Sequence, residues 1–246
     1  LLMPGIPPEL DALVLSLLSL DPMGRPASAA AVIDELTVIG GLDPEEHEQT
    51  AEHYLQSSRL VGRATELEFG KRALSRVVKG TGAEVVIDGV AGIGKTRLLR
   101  ELCLEAQLKG IAALTADAQA APDTFGVAIA LSLELFRKQP DLARRTAEAH
   151  AGTLAHLAPE LCSLLGNPTL QALSPDHAER RARMQNALHE WFLAFSRAQP
   201  VLIAVDNLHA VDDNSAAFLV ALGRRAKRER LVIFVTQRTG DPVVSP

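Results

Sequence analysis

The chain predicts an α/β fold: a parallel sheet covered by helices on both faces. Three observations carry this. From about residue 59 onward, short β-branched or apolar runs alternate with helix-length amphipathic stretches. One run, Glu84-Val85-Val86-Ile87-Asp88, leads straight into Gly89-Val90-Ala91-Gly92-Ile93-Gly94-Lys95-Thr96 and then a helix-like run from Thr96 to Leu108. Another, Val201-Leu202-Ile203-Ala204-Val205, is apolar throughout and ends on Asp206. Strands that are apolar throughout must be covered on both sides, and helices returning between parallel strands provide the cover.

The elements follow in order. Residues 1–38 read as two short helices. The first opens at Pro7 and Pro8, because proline suits a first helical turn, and runs through Leu13, Val14, Leu17 and Leu18. Asp21-Pro22-Met23-Gly24 breaks it. The second follows Arg25-Pro26, is capped near Ser28, and carries Val32, Ile33 and Leu36. This pair is too small to bury a core of its own. Residues 39–58 read as a linker: Gly40-Gly41 ends the helix and Asp43-Pro44-Glu45-Glu46-His47-Glu48 is acidic and poor in apolar residues. A domain over residues 59–246 opens with a helix running to about Lys79, with Thr65 as its cap. After the glycine loop and its helix come a second strand, Ile111 to Thr115, and a helix over Phe125 to Lys138. Leucine- and alanine-rich helices occupy about 141–165. A long helix opens at Ser174-Pro175-Asp176, with Ser174 as cap. Its stripe Met184, Leu188, Trp191, Phe192, Phe195 has core spacing. The strand ending in Asp206 is the third, Asn214 to Lys227 a helix, and Leu231 to Thr236 the fourth strand.

The glycine loop fits G-x-x-x-x-G-K-[ST], and its strand–loop–helix flanks are the context that pattern requires. Gly89, Gly92 and Gly94 let the backbone turn tightly and bring its N–H groups against phosphate oxygens. The helix that follows aims its unpaired N–H groups and positive dipole end at the same point. Lys95 is placed to reach the β- and γ-phosphates, and the Thr96 hydroxyl to hold magnesium. The motif therefore predicts ATP and magnesium as ligands. Such a loop needs a strand that delivers an acid to the magnesium, and Asp206 is the candidate. The fourth strand ends in Thr236-Gln237-Arg238, and either Thr236 or Arg238 is placed to sense the γ-phosphate.

Bulk properties narrow the rest. Of 246 residues, 47% are hydrophobic, enough for a sizeable core. A formal net charge of -5 argues against a protein that coats nucleic acid. The Arg180, Arg181, Arg183 and Arg224, Arg225, Lys227, Arg228, Arg230 clusters fall in or beside helical patterns and read as solvated faces. Cys103 and Cys162 lack metal-ligand spacing and suit the core of a reduced, cytoplasmic protein. No apolar run reaches membrane-spanning length, and the first residues lack a signal-peptide pattern. The chain does not begin with Met, so it reads as an excerpt or a processed product.

Two resemblances extend this reading. Leu17-Leu18-Ser19-Leu20-Asp21-Pro22-Met23-Gly24-Arg25-Pro26-Ala27-Ser28 resembles the last segment of a protein-kinase C-lobe. In that family the arginine matching Arg25 ties the lobe to a glutamate of the activation segment. The kinase glycine-rich loop, strand lysine, H-R-D and D-F-G segments are not in this sequence, so the resemblance implies no kinase activity for it. Residues 59–246 resemble the signal-transduction (STAND) ATPases with an AAA-like module, which often follow bacterial serine/threonine kinases. The match lies in Val61-Gly62-Arg63 with Glu66-Leu67, the P-loop, Asp206-Asn207-Leu208-His209 with Asp212, and Thr236-Gln237-Arg238. It implies catalytic roles for Lys95, Asp206 and Arg238, and a base pocket bordered by Gly62 and Arg63. Where the family usually carries a second acid, this chain has Asn207, and an amide cannot act as a general base. Slow hydrolysis, or help from another acid such as Asp212, is implied. Such modules place the fourth strand between the first and third, add a fifth strand beyond the first, and carry a helical lid. With the sequence stopping at Pro246, the P-loop strand is expected as an apolar edge.

The function expected is a nucleotide-driven switch within a larger serine/threonine kinase–ATPase regulator, with protein partners, without membrane or nucleic-acid contact. The alternative is an active AAA-class ATPase that remodels a protein or DNA complex. A scaffold with a degenerate site conflicts with Lys95, Thr96 and Asp206 all being present.

Overall fold

The computed structural model describes residues 7–19, 21, 24–26, 29–40 and 62–239. The chain splits into two compact units, Leu1–Arg59 and Leu60–Pro246. In the first, α1 (Pro8–Leu17) starts with Pro8 and packs against α2 (Ala29–Gly40). Leu13 is buried, whereas Val14, Leu17, Leu18 and Leu36 are exposed. Two helices this short leave most of their apolar surface in water. Between them Gly24 N donates to Asp21 O at 3.0 Å and Arg25 Nε donates to Ser19 O at 2.9 Å. Leu20, Pro22, Met23, Ala27, the expected cap Ser28, the linker beyond Gly40 and Val61 lie outside the described residues.

The second unit is built on one parallel sheet. Its strands are β1 (Ala83–Gly89), β2 (Ala112–Asp117), β3 (Val201–Asp206) and β4 (Leu231–Arg238), in the order β1-β4-β3-β2. The fourth strand lies between the first and third, as expected. Among the described residues β1 is an outer strand, and its burial alternates where β3 is buried almost throughout.

The two-residue alternation of side chains assigns each strand position to a face. Ile111, Ala113, Leu202, Ala204, Val232 and Phe234 pack with α3 (Ala64–Val78) and α4 (Lys95–Leu108). Leu114, Val201, Ile203, Val205, Leu231, Ile233 and Val235 face the other way. There they meet α5 (Gly126–Lys138), α9 (His177–Ala198) and α10 (Asp213–Ala226). Three short helices, α6 (Pro140–Ala147), α7 (Ala151–Leu154) and α8 (Pro159–Leu164), lie between α5 and α9 in the chain. The stripe on α9 is core: Leu188, Trp191, Phe192 and Phe195 are buried and Met184 packs at the edge. Trp191 Nε1 donates to Ala143 O at 3.0 Å, and its ring sits 5.8 Å from Phe136 and 5.6 Å from Phe192. Burial pushes the Cys103 thiol up to about 12, so it stays a protonated core group.

Two helix starts differ from the expected ones. α9 is capped by Asp176, whose side chain accepts from Ala178 N at 2.9 Å, and begins at His177. Asp176 keeps an extended backbone, while Ser174 Oγ accepts from Asp176 N in the preceding turn. The carboxylate, one residue from the helix, takes the capping role that the serine was expected to play. α3 starts at Ala64 behind Arg63, with no side-chain cap at all; Thr65 is already inside the helix. β2 also runs two residues further than expected, to Asp117.

Candidate functional site

The phosphate loop joins β1 to α4. Gly92 has φ 76° and Gly94 φ 92°, both in the left-handed region. A Cβ at either would meet nothing within 4 Å, so backbone conformation rather than crowding demands glycine there. The same open space leaves room for a phosphate. Gly94 caps α4 without a side chain, and the helix has no acidic residue in its first turn. Its N-terminus therefore keeps the unpaired donors and positive field that suit an anion. Lys95 Nζ donates to Gly89 O at 2.8 Å and Val90 O at 2.9 Å. Those two bonds hold the ammonium at the loop mouth and leave one of its three donors for a phosphate oxygen. Thr96, in the first turn of α4, is exposed.

The acid half comes from the strand ends on the same face of the sheet. Alternation along β3 puts Asp206 on the side of Leu202 and Ala204, the side of α4. Thr236 is fully buried and donates from Oγ1 to Asp206 Oδ1. Asn207 N donates to both Asp206 Oδ1, at 3.1 Å, and Thr236 Oγ1, at 3.0 Å. Both bonds to Asp206 fall on one carboxylate oxygen, Oδ1. Asn207 adopts φ 56°, ψ 46°, and its Nδ2 donates to Asp117 Oδ1 at 2.9 Å. Asp117 is the register partner of Asp206 on β2. Asp212 is placed differently. Its Oδ1 accepts from Asn214 N, Ser215 N and Phe125 N at 2.9–3.1 Å, capping α10 and tying it to the start of α5. Arg238 ends β4, exposed, in register with Gly89.

A cavity of about 380 Å³ lies beside the loop. It is lined by Arg63, Thr65, Glu66, Phe69, Gly70, Val85–Asp88, Ile93–Lys95, Leu98 and Leu102. Arg63 spans it: Nη1 donates to Glu66 Oε1 at 2.7 Å and Nη2 to Ile93 O at 3.2 Å. This guanidinium contact holds the Glu66 carboxyl below its usual range. Gly62 makes the turn into α3 with φ 77°. The sequence reading missed Phe69, Ile93 and Asp117. Phe69 lies one helical turn past Glu66 and Ile93 inside the loop itself, so their positions signalled the pocket; nothing local signalled Asp117.

Among the described residues no cluster of three or more His, Cys, Asp and Glu side chains could hold a metal alone. On the face of the loop helix the site offers the Thr96 hydroxyl, the Asp206 carboxylate and, one strand further from the loop, the Asp117 carboxylate. That donor set fits magnesium, which favours one or two carboxylates together with phosphate oxygens and water. The glycine cradle and uncapped helix start fit a triphosphate.

No curated protein matches the chain. A family model described as AAA ATPase domain matches residues 59–235. That span covers the cavity, the phosphate loop, the Asp206 strand end and all of β4 but its last three residues. A parallel four-stranded sheet, with a phosphate loop after its first strand and an acid at the end of its third, is the P-loop NTPase arrangement. The chain belongs to the AAA ATPase domain family.

Proposed function

We propose that this module binds magnesium-ATP and ADP as a nucleotide-dependent switch with slow hydrolysis, within a larger serine/threonine kinase–ATPase regulator. The carrying observation is the uncapped N-terminus of α4, with its left-handed glycines, on the same sheet face as Asp206. In this reading the loop N–H groups and Lys95 hold the β- and γ-phosphates. Thr96 and Asp206 hold magnesium, which when bound neutralises charge on the phosphates. Arg238, in register with Gly89, contacts the γ-phosphate, and the adenine sits in the cavity beside Gly62 and Arg63. Asn207 favours a switch over a motor. A switch needs different affinities for two states of the module, not rapid turnover. The kinase connection rests on Asp21, Gly24 and Arg25 standing between two short helices, the pattern of a C-lobe end. Arg25 meets Ser19 O within its own turn, a contact compatible with a second bond to an acid elsewhere. No helix among the described residues is long and apolar enough to cross a membrane.

Calorimetric titration of magnesium-ATP and ADP into the chain tests the reading. Wild type binds both; Lys95→Ala loses binding by about 100-fold or more, as expected for a buried-side charge contact to phosphate worth about 3 kcal/mol. Absence of binding by a folded wild-type chain would remove the ATP-switch reading.

A further inference from the structure

We infer that Asp117 is the proton acceptor for ATP hydrolysis in this module, replacing the acid that Asn207 cannot supply. The inference rests on the ATP-binding reading above and gives its hydrolytic step a residue.

Three placements converge on Asp117. It ends β2 level with Asp206, its register partner on β3. Ile111, just before β2, and Ala113 within it face α4 while Ala112 and Leu114 face away, so Asp117 shares the face of Asp206 and the loop helix. Asn207 reaches it directly: the left-handed backbone at φ 56° aims the amide back, and Nδ2 donates to Asp117 Oδ1 at 2.9 Å. Gln119 N donates to the same oxygen at 3.0 Å. Both bonds fall on Oδ1, so among the described residues Oδ2 has no partner. The bond from Nδ2 fixes the amide of Asn207, whose Oδ1 is an acceptor. One water can then be held between Asn207 Oδ1 and Asp117 Oδ2.

The direction of attack fits. The phosphate loop follows β1, at the opposite edge of the sheet from β2. Neighbouring strands lie about 4.8 Å apart, which puts the end of β3 about 10 Å from the loop strand and β2 one strand further. A triphosphate anchored on the loop extends toward Asp206. In-line attack comes from the side of the γ-phosphorus opposite the bridging oxygen, away from the loop. That is the side of β3 and β2. The other nearby acids are placed elsewhere. Asp212 is tied through Oδ1 to the starts of α10 and α5, helices of the opposite face of the sheet, and its Oδ2 is buried. Asp88 stands on β1 beside the loop, where it accepts from Gly89 N and Thr239 Oγ1.

In the step, a lone pair of the water oxygen forms the new bond to the γ-phosphorus. The bond from phosphorus to the β,γ-bridging oxygen breaks, and its electron pair leaves on ADP. The water proton passes to the Asp117 carboxylate and from there to solvent, leaving inorganic phosphate.

The test uses the full chain as wild type, Asp117→Asn, Asp117→Ala, and Asp117→Asn combined with Asn207→Asp. Each is titrated with magnesium-ATP by calorimetry and assayed for single-turnover hydrolysis. Both single variants should bind magnesium-ATP as wild type does and hydrolyse it about 100-fold or more slowly, the usual loss with a general base. The double variant exchanges amide and carboxylate across the same hydrogen bond and should recover about tenfold or more of that loss. Hydrolysis at the wild-type rate in Asp117→Asn, or a wild type that binds ATP and never cleaves it, overturns the inference and leaves the binding reading standing. Parallel loss of binding and hydrolysis in both single variants marks a structural role and also overturns it. A folded wild type that binds no ATP removes the binding reading itself, and this inference with it.

Discussion

The two halves of the site are made in opposite ways. The phosphate half is one continuous run, Gly89 to Thr96, and its working parts are backbone N–H groups, two left-handed glycines and a helix end. The acid half is gathered from three strands. Asp117, Asp206 with Asn207, and Thr236 come from β2, β3 and β4, and side-chain hydrogen bonds join them across 29 to 90 residues of sequence. An anion can be held by backbone that any chain possesses, provided the dihedrals are right. A cation needs side-chain oxygen at one place, and only strand register puts it there. The first half is therefore vulnerable to a single Cβ, and the second to a lost hydrogen bond in its support.

Asp206 is the residue on which the acid half depends most. Asp206→Asn should weaken magnesium-ATP binding by at least the 10–100-fold, or about that, which loss of even an outer support costs a metal site. Affinity for ATP in the presence of EDTA should stay unchanged. Titrations with and without magnesium decide it: equal losses in both would show that Asp206 serves the loop rather than the cation.

Thr236→Val probes the support of the acid half. It keeps the shape but leaves Asp206 Oδ1 and Asn207 N each short of a partner at a fully buried position. The expected cost is about 1–3 kcal/mol of stability, read from urea unfolding, with Thr236→Ser near wild type. A valine variant as stable as wild type would mean that the network adds nothing to folding.

Gly94→Ala sharpens the loop side. Forcing alanine to φ 92° costs about 1–2 kcal/mol, or about tenfold in ATP affinity where the loop relaxes out of shape. Gly80, at φ 90° and equally open, is the control. Gly80→Ala should lower stability by a similar amount and leave ATP binding alone. Equal effects of the two variants on binding would detach the left-handed conformation from phosphate recognition.

The same division explains what the sequence revealed. Gly89 to Thr96 was legible because every part of that half is local: motif, preceding strand and following helix are contiguous. Asp206 was legible because an apolar strand ending in a carboxylate is a local pattern too. The unbroken apolar runs of β3 and β4 were strong enough to show that both faces of the sheet are covered. Asp117 was not legible. The apolar run of β2 weakens after Leu114, so the strand reads shorter than it is, and the worth of residue 117 depends on a pairing with a strand 89 residues later. Helix starts blurred for a different reason. Near Ser174 and Asp176, and at Arg63 to Thr65, neighbouring polar residues compete for one cap, and packing chooses among them. Phe69 was passed over because a half-exposed aromatic on an amphipathic helix looks like surface, although its spacing from Glu66 puts it on the pocket side.

The single tryptophan of the chain, Trp191, stands fully buried in the helical layer, with its indole N–H bonded to Ala143 O. The sheet separates it from the face that carries the phosphate loop. The protein thus contains an intrinsic fluorophore that reports on one layer only. Its emission follows the packing of α6 against α9 and is optically insulated from direct contact with nucleotide, so a spectral change on adding ATP would be a signal carried through the sheet.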